Sequence, residues 1–398
     1  MSENLIRSKK VRVALVAACD AKAVLRPSEL KARFRDRAYH PTPWLRSLAQ
    51  ALAERDDVEC HIFSHSRAVS RVRHGSFDGV PCTVIPQYEP VRMAPWHGHM
   101  PARIQFRKHI AAWDPDVVHG FGTENAYGLI ATEQNKPSVI FIQGIMDFYT
   151  GFAKRRMPCR SRLYHHLERT ALRRAGGIVA ETAFAERWAH SINPNARIRV
   201  IPHGSNAEFF DADPRFDSER INAVCVGMLT PRKAADVAIR AVARARNSRV
   251  RLLILGYGPE QDALQRLARE RGVADRVEFR GMVDRADVVR AMEEAWMLLL
   301  TSRMDTSPNI LTEAHAAGLP VIGTRAGGIP DMIDDGRDGF LVDVDDDRAM
   351  ADCIDRLCSD AALCERMGRA GREKVRVLND PKRIAEQHVR LYHELSGK

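Results

Sequence analysis

The feature that most constrains this chain is an alternation of short apolar runs and amphipathic helical stretches that stops once and then starts again. Residues 11–17, 58–63, 117–119, 138–143, 178–180 and 197–202 read as strands. Between them, 44–55 and 162–175 read as helices. The second carries Leu163, Leu167 and Leu172 on one face and ends at Gly176-Gly177. Strands that are apolar throughout and joined by helices build a parallel, doubly wound sheet.

A polar, proline-containing passage, 204–220, interrupts the pattern. Beyond it come strands at 223–226, 251–255, 277–279, 296–301 and 320–323, with helices at 234–245, 260–271, 288–295 and 309–317. Residues 348–357, 360–376 and 381–395 are helical by their apolar spacing. Length points the same way, since 398 residues exceed what one hydrophobic core usually organises. The expected fold class is α/β, with two Rossmann-like domains, 1–205 and 206–378, facing across a cleft. A C-terminal helix in 379–398 is expected to return to the first domain. Ligands of open α/β sheets sit at the carboxyl ends of the strands, which makes that cleft the expected active site.

An apolar content of 45% with 28% charged residues excludes wholesale disorder. No apolar run approaches the length that spans a bilayer. Residues 13–19 follow Lys9, Lys10 and Arg12 in the manner of a lipoprotein signal. The run is too short for a secretory core, and a buried first strand explains it better. The eight cysteines show no CxxC and no zinc spacing, so reduced thiols in a cytoplasmic protein are expected.

Charge is lopsided. Residues 1–205 hold 31 Lys and Arg against 18 Asp and Glu, and the remainder 30 against 33. A basic first half suits an acidic acceptor or an anionic membrane face; an Arg-rich solvated surface explains it equally. The stretch 92–113, with Trp96, Arg103, Arg107 and Lys108, is the candidate for such a peripheral contact. Nucleic acid is the weakest partner class, because no aromatic-interleaved basic motif is present.

Residues 301–322 carry the clearest chemistry: strand, tight loop, helix, stop, strand. Ser307 is placed to cap the helix, Pro308 fits its first turn, Gly318 closes it and Pro320 forbids continuation. A helix that starts at the carboxyl end of a strand offers unpaired N–H groups and partial positive charge to a diphosphate or to sugar hydroxyls. Glu313 lies one turn after Asn309 on the same face, where its carboxylate can accept ribose hydroxyls.

Asp305 and Glu313 are separated by seven residues, and Ala314, Ala317, Gly318, Pro320, Val321 and Ile322 follow. In this the stretch resembles the family-four group of retaining glycosyltransferases with the GT-B architecture. The resemblance implies that Glu313 binds the nucleotide ribose. It implies that Asp305, standing where the family usually has the longer Glu, contacts the transferred sugar near the reacting centre. Backbone amides of the loop through Ser307, Pro308, Asn309, Ile310 and Leu311 would hold sugar hydroxyls and phosphate.

Residues 226–233 resemble the family's phosphate clamp, with Gly227 and Lys233 in place and Met228 where an arginine is usual. Lys233 would stabilise the leaving diphosphate, and Arg232 is the nearest substitute for the missing cation. Gly256-Tyr257-Gly258-Pro259 resembles a family turn, and residues 277–283 the segment whose backbone, at Gly281 and Met282, reads the base. Residues 200–205 with Phe209, 326–331 and 338–342 match in the same order. In the first domain 115–119 and 168–180 match, but the glycine-rich turn after the first strand is replaced by a glycine-free stretch, 20–43. Gln143-Gly144 stand where the family often has a histidine, which makes Gln143 the candidate beside the sugar. His119 reads as a histidine packed in the sheet.

The resemblance implies a soluble, retaining hexosyltransferase that uses a nucleotide diphosphate sugar, with a UDP-sugar expected. The acceptor would be an anionic, glycan-linked, lipid-linked or small molecule, met in the cytoplasm or at the inner face of the membrane. No cofactor and no metal are implied, the nucleotide sugar being a co-substrate; the acidic run 343–347 reads as a helix cap. Two other classes stay open: a sugar-nucleotide epimerase or hydrolase on the same fold, and a non-catalytic sugar-binding descendant.

Overall fold

A computed structural model describes residues 10–31, 43–87, 99–123, 126–152, 158–216 and 220–398. The chain divides into two compact units, one from residues 1–150, 155–204 and 381–398, the other from 151–154 and 205–380.

The first unit begins with β1 (Val11–Val16), α1 (Ala21–Val24), α2 (Pro43–Ala53), β2 (Val58–Ser66), β3 (Arg73–Phe77), β4 (Val80–Pro86) and α3 (Met100–Trp113). It continues through β5 (Val117–Phe121), α4 (Tyr127–Thr132), β6 (Ser138–Phe141), α5 (Met146–Tyr149), α6 (Pro158–Arg174), β7 (Gly177–Ala180), α7 (Ala183–Ile192) and β8 (Arg197–Val200). Its strands run in the order β3-β4-β2-β1-β5-β6-β7-β8. Side chains alternate across β1: Val13 and Leu15 enter one buried cluster, Ala14 and Val16 another. Both faces of the sheet are covered, which is why its strands read as unbroken apolar runs.

One strand departs from the all-parallel expectation. β3 pairs antiparallel with β4, because Asp78 and Gly79 take φ of 47° and 87° and close a two-residue hairpin. The strand after residue 138 also stops sooner than its apolar run suggests, at Phe141. Trp96, with the rest of 88–98, lies outside the described residues, as do 32–42 of the glycine-free stretch.

The second unit comprises β9 (Ile221–Val226), α8 (Ala235–Arg244), β10 (Val250–Leu255), α9 (Gln261–Glu270), β11 (Val277–Gly281), α10 (Arg285–Glu293) and β12 (Ala295–Leu300). Then follow α11 (Asn309–Ala316), β13 (Val321–Thr324), β14 (Gly339–Val342), α12 (Asp347–Ser359) and α13 (Ala361–Leu378). Its sheet, β11-β10-β9-β12-β13-β14, is parallel throughout. The core joins Val224, Leu252, Ile254 and Leu298 to apolar faces of the flanking helices.

The chain then forms α14 (Pro381–Ser396), which belongs to the first unit. There Ile384, Val389 and Tyr392 pack into the cluster that holds Val13 and Leu15. Burying each such side chain is worth about 1.5–3 kcal/mol. Among the described residues no helix is long and apolar enough to cross a membrane.

Candidate active site

In the second sheet every strand is parallel, so the loops after β9, β10, β12 and β13 emerge at one edge. The loop after β9 starts at Gly227, with φ of 147°, and is backed by the turn after β10. The Gly227 amide donates to the Leu255 carbonyl, and the Leu229 amide to that of Tyr257, both at 2.9 Å. A Cβ on Gly256 would lie 1.9 Å from the Gly227 oxygen, and one on Gly258 2.3 Å from that of Leu229. The glycines of the Gly-Tyr-Gly turn are therefore there for close backbone approach. Met228, at the apex, is 56% exposed.

The loop after β12 answers it. Asp305 is 5% exposed, and its Oδ2 accepts from Lys233 Nζ at 2.5 Å and from Ser302 Oγ at 3.2 Å. Arg232 Nη1 lies 3.5 Å from Oδ1 and donates to the Met304 carbonyl at 2.9 Å. Burial pushes the Asp305 carboxyl up, but the Lys233 and Arg232 charges outweigh it and hold it below the usual carboxylate range. Arg303 fastens the two loops: its guanidinium reaches the Pro231 carbonyl at 2.7 Å and Asp236 at 2.8 Å. From the far side Gly327, at φ of 57°, presses so close that a Cβ would lie 2.0 Å from the Asp305 carbonyl. The Gly328 amide donates to that oxygen.

Helix α11 opens differently from the sequence reading. Pro308, not Ser307, is its N-cap, and no side chain caps it. Ser307 falls one residue too early to reach the first amides, and its hydroxyl lies 3.8 Å from Met332 Sδ instead. Two of the expected amide donors also drop out. Pro308 has none, and that of Leu311 is engaged by the Pro308 carbonyl at 3.0 Å. The side chains of Ile310 and Leu311 are buried, so neither meets a ligand with its apolar part. An N-terminus without a side-chain cap keeps its first amides for an external acceptor. The other end closes as expected, with Gly318 at φ of 80° and Arg372 Nη2 donating to the Ala317 carbonyl at 2.7 Å.

Glu313, one turn into α11, is reached at Oε1 by Arg285 Nη2 at 3.3 Å. The same guanidinium pairs with Glu208 and lies 5.0 Å from the Phe209 ring centroid. Arg285 opens α10 beside the expected base-reading segment. There Gly281 takes φ of 68°, its carbonyl accepts from the Gly256 amide, and Met282 is 64% exposed.

In the first unit, Gln143 lies two residues past β6, and its Nε2 is buried with no hydrogen-bond partner. The turn after it is held by Glu168 on α6. Glu168 Oε1 accepts from Thr123 Oγ1 at 2.5 Å and from the Met146 amide at 3.1 Å, and Oε2 from the Asp147 amide at 3.3 Å. Thr123 Oγ1 also reaches the Gly144 carbonyl at 3.1 Å. Burial pushes the Glu168 carboxyl up to about 7 against the pull of these donors. His119 is a core residue: fully buried, 2.7 Å from the Tyr392 hydroxyl, and held neutral by desolvation.

In the acidic run, Asp346 caps α12 through the Ala349 amide, Asp347 pairs with Arg240 and Arg244, and Asp345 with Arg303. It is a helix start pinned by arginines.

Two family models tile most of the chain. The model described as Glycosyltransferase Family 4 matches residues 44–209, and that described as Glycosyl transferases group 1 matches 206–374. The chain belongs to the group 1 glycosyltransferases. Its fold is GT-B. A GDP-mannose-dependent alpha-(1-6)-phosphatidylinositol monomannoside mannosyltransferase of Mycolicibacterium smegmatis is 33% identical over 227 residues, 51% of this chain and 59% of that one. The matched part thus spans about three-fifths of the length of that curated relative and of its Mycobacterium tuberculosis counterpart. Sucrose-phosphate synthase from Thermosynechococcus elongatus superposes with a TM-score of 0.79 at 20% identity, covering 98% of this chain and all of the other. An Anabaena protein solved with UDP-glucose gives 0.71 at 16% identity, covering 96% and 100%.

In this group 1 glycosyltransferase, buried Asp305 and the partly buried Lys233 and Arg232 form one ionic cluster, and Glu313 a second with Arg285. Arg285, Ser302, Arg303 and Glu168 were not among the residues expected from sequence. Arg285 follows Asp284, whose side chain caps α10 through Asp287 in a visible Asp-x-x-Asp capping box, so its place at a helix start was legible. Its pairing with a residue 28 positions away was not.

Proposed function

We propose that this protein transfers a hexose from a nucleoside diphosphate sugar to an acceptor, with retention at the anomeric carbon. The observation that carries the reading is the juxtaposition of Lys233 and Arg232 with the Asp305 loop, at the same sheet edge as the N-terminus of α11. In the proposed step the bond from C1 to the phosphate oxygen breaks and the acceptor oxygen bonds C1 on the same face. The acceptor proton passes to the departing phosphate. Negative charge grows on that phosphate, and Lys233 and Arg232 are the cations assigned to it in place of a divalent metal. Glu313 is assigned the ribose, and the amides of Asn309 and Ile310 the phosphate or sugar hydroxyls.

A uridine donor remains the proposal for the base, weighed against the guanosine donor named for the mycobacterial relative. The acceptor is proposed to be anionic, from the basic excess in residues 1–205. Turnover of UDP- and GDP-sugars followed by NMR tests the reading. An α-linked product from an α-linked donor, unchanged by a chelator, supports it; an inverted product or strict metal dependence refutes it.

A second reading, sugar-nucleotide binding without transfer, has one observation in its favour. Met228 projects to solvent where the clamp normally carries a cation. Tight donor binding with no transfer to any acceptor would select it.

A further inference from the structure

Within the first unit a buried carboxylate has been given no task by the proposed reaction. Glu168 is fully buried, on a helix, and its oxygens accept from Thr123 and from the Met146 and Asp147 amides, in the loops beside Gln143. Thr123 follows β5, and Met146 and Asp147 lie at the start of α5. The single Thr123 hydroxyl proton has two acceptors within reach, Glu168 Oε1 at 2.5 Å and the Gly144 carbonyl at 3.1 Å, and goes to the carboxylate when Glu168 is ionised. Helix α5 is four residues long, and the chain carries no side-chain cap at its start. The Glu168 carboxylate therefore does from outside what a capping residue would do within the chain. Gln143, one residue before this turn, keeps a buried amide nitrogen without an acceptor. Such a donor is costly unless a ligand oxygen meets it, and it is useful only if the turn beneath it is fixed.

We infer that Glu168 is a positioning residue: its ionised carboxylate locks the turn from Gly144 to Asp147 and thereby aims Gln143 at the substrate. The part that names Gln143 rests on the proposed transfer reaction; the lock itself does not. An ionised carboxylate accepts from the Thr123 hydroxyl and from both amides, whereas a proton on Oε1 would be donated to the Thr123 oxygen and would weaken Oε1 as acceptor of the Met146 amide. The charged group that faces Glu168 from a neighbouring helix is Asp147, whose like charge favours the proton. Asp147 is in turn paired with Arg169, on the helix that carries Glu168, and lies 3.5 Å from His165 Nδ1 of the same helix. Helix α4, which also packs on α6, brings only uncharged residues, and α7, packed there too, carries Glu186, Arg187 and His190. Burial pushes the carboxyl up to about 7 against the pull of its donors. Losing the donors while the group stays buried would push it higher still, so release of the turn is linked to proton uptake and the lock strengthens as pH rises above about 7.

The test is amide hydrogen exchange on the full chain between pH 6 and 8, corrected for intrinsic base catalysis and read at Met146 and Asp147. Wild type is expected to show flat protection below about pH 7 and to gain up to roughly tenfold between pH 7 and 8, chiefly at Met146, one pKa unit of linkage being a tenfold factor. Glu168→Gln should lose the pH dependence and remain at the low value. Thr123→Val, which keeps the carboxylate but removes one donor to it, should move the midpoint upward. Protection that is flat with pH in wild type, or equally pH-dependent in Glu168→Gln, overturns the inference. Where a donor is turned over, Glu168→Gln should lower kcat and flatten its pH profile with little change in donor KM. If no donor is turned over, the exchange result still decides the lock, and only the transfer reading fails.

Discussion

The Lys233 ammonium sits 2.5 Å from a carboxylate oxygen of Asp305, a residue 5% exposed. With Arg232 at 3.5 Å from the other oxygen, the carboxylate neutralises the very cations assigned to the leaving phosphate. Asp305 thus holds the clamp in shape before any donor arrives. Breaking such a buried pair by removing one partner costs about 3–5 kcal/mol. Asp305→Asn should lower the melting temperature by several degrees at neutral pH, and Asp305→Glu should recover most of it. Unchanged melting in Asp305→Asn would deny the cluster its structural part.

Arg285 stacks over Phe209 and donates to Glu313. Arg285→Ala should weaken nucleotide-sugar binding about tenfold, a loss of about 1.4 kcal/mol. Arg285→Lys should recover little of it, because an ammonium cannot both stack and fork between two carboxylates. Calorimetric titration of the two variants checks this, and full affinity in Arg285→Ala would separate Arg285 from the donor site.

Gln143 offers a sharper contrast between fold and function. Its Nε2 is buried and unpartnered, so Gln143→Leu should leave the fold unchanged or stabilise it by up to ~1 kcal/mol. Transfer should fall at least tenfold in the same variant. Loss of stability with undiminished turnover would make Gln143 a packing residue.

His315 and His388, fully buried, and His65, partly buried, have their titration pushed down to about 4 by desolvation, and buried His119 is shifted the same way. Unfolded, each titrates near 6.5. Between those values the unfolded chain binds more protons, so stability rises with pH through this window and is lost as pH falls from about 6.5 toward 4. His388→Phe keeps a ring in the cluster with His119 and Phe141 and removes one such site. The dependence of melting temperature on pH below 6.5 should be shallower in that variant. Parallel curves would count against the assignment.

How much was legible depended on whether a feature was local. Both sheets followed from period and length, because strands buried on two faces leave continuous apolar runs. The antiparallel β3 had a local signal too, Asp78-Gly79 between two short runs, and went unread beside the stronger parallel pattern. In the site, the Gly318 stop is local chemistry and was readable. The cap at Pro308 was not, since Ser307 is the better capping type and only the backbone decides which residue takes the position. The pairings of Lys233 with Asp305 and of Thr123 with Glu168 join residues 72 and 45 apart, and no periodicity encodes them.

The central claim is that the second unit holds a nucleotide-sugar donor through Glu313 and the start of α11. Calorimetric titration of wild type and Glu313→Ala with UDP-glucose and GDP-mannose tests it most directly. Wild type should bind at least one of them, and Glu313→Ala, folded to the same melting temperature, should bind that donor at least tenfold more weakly. Equal affinity in the two proteins, or no binding of either donor to wild type, would contradict it.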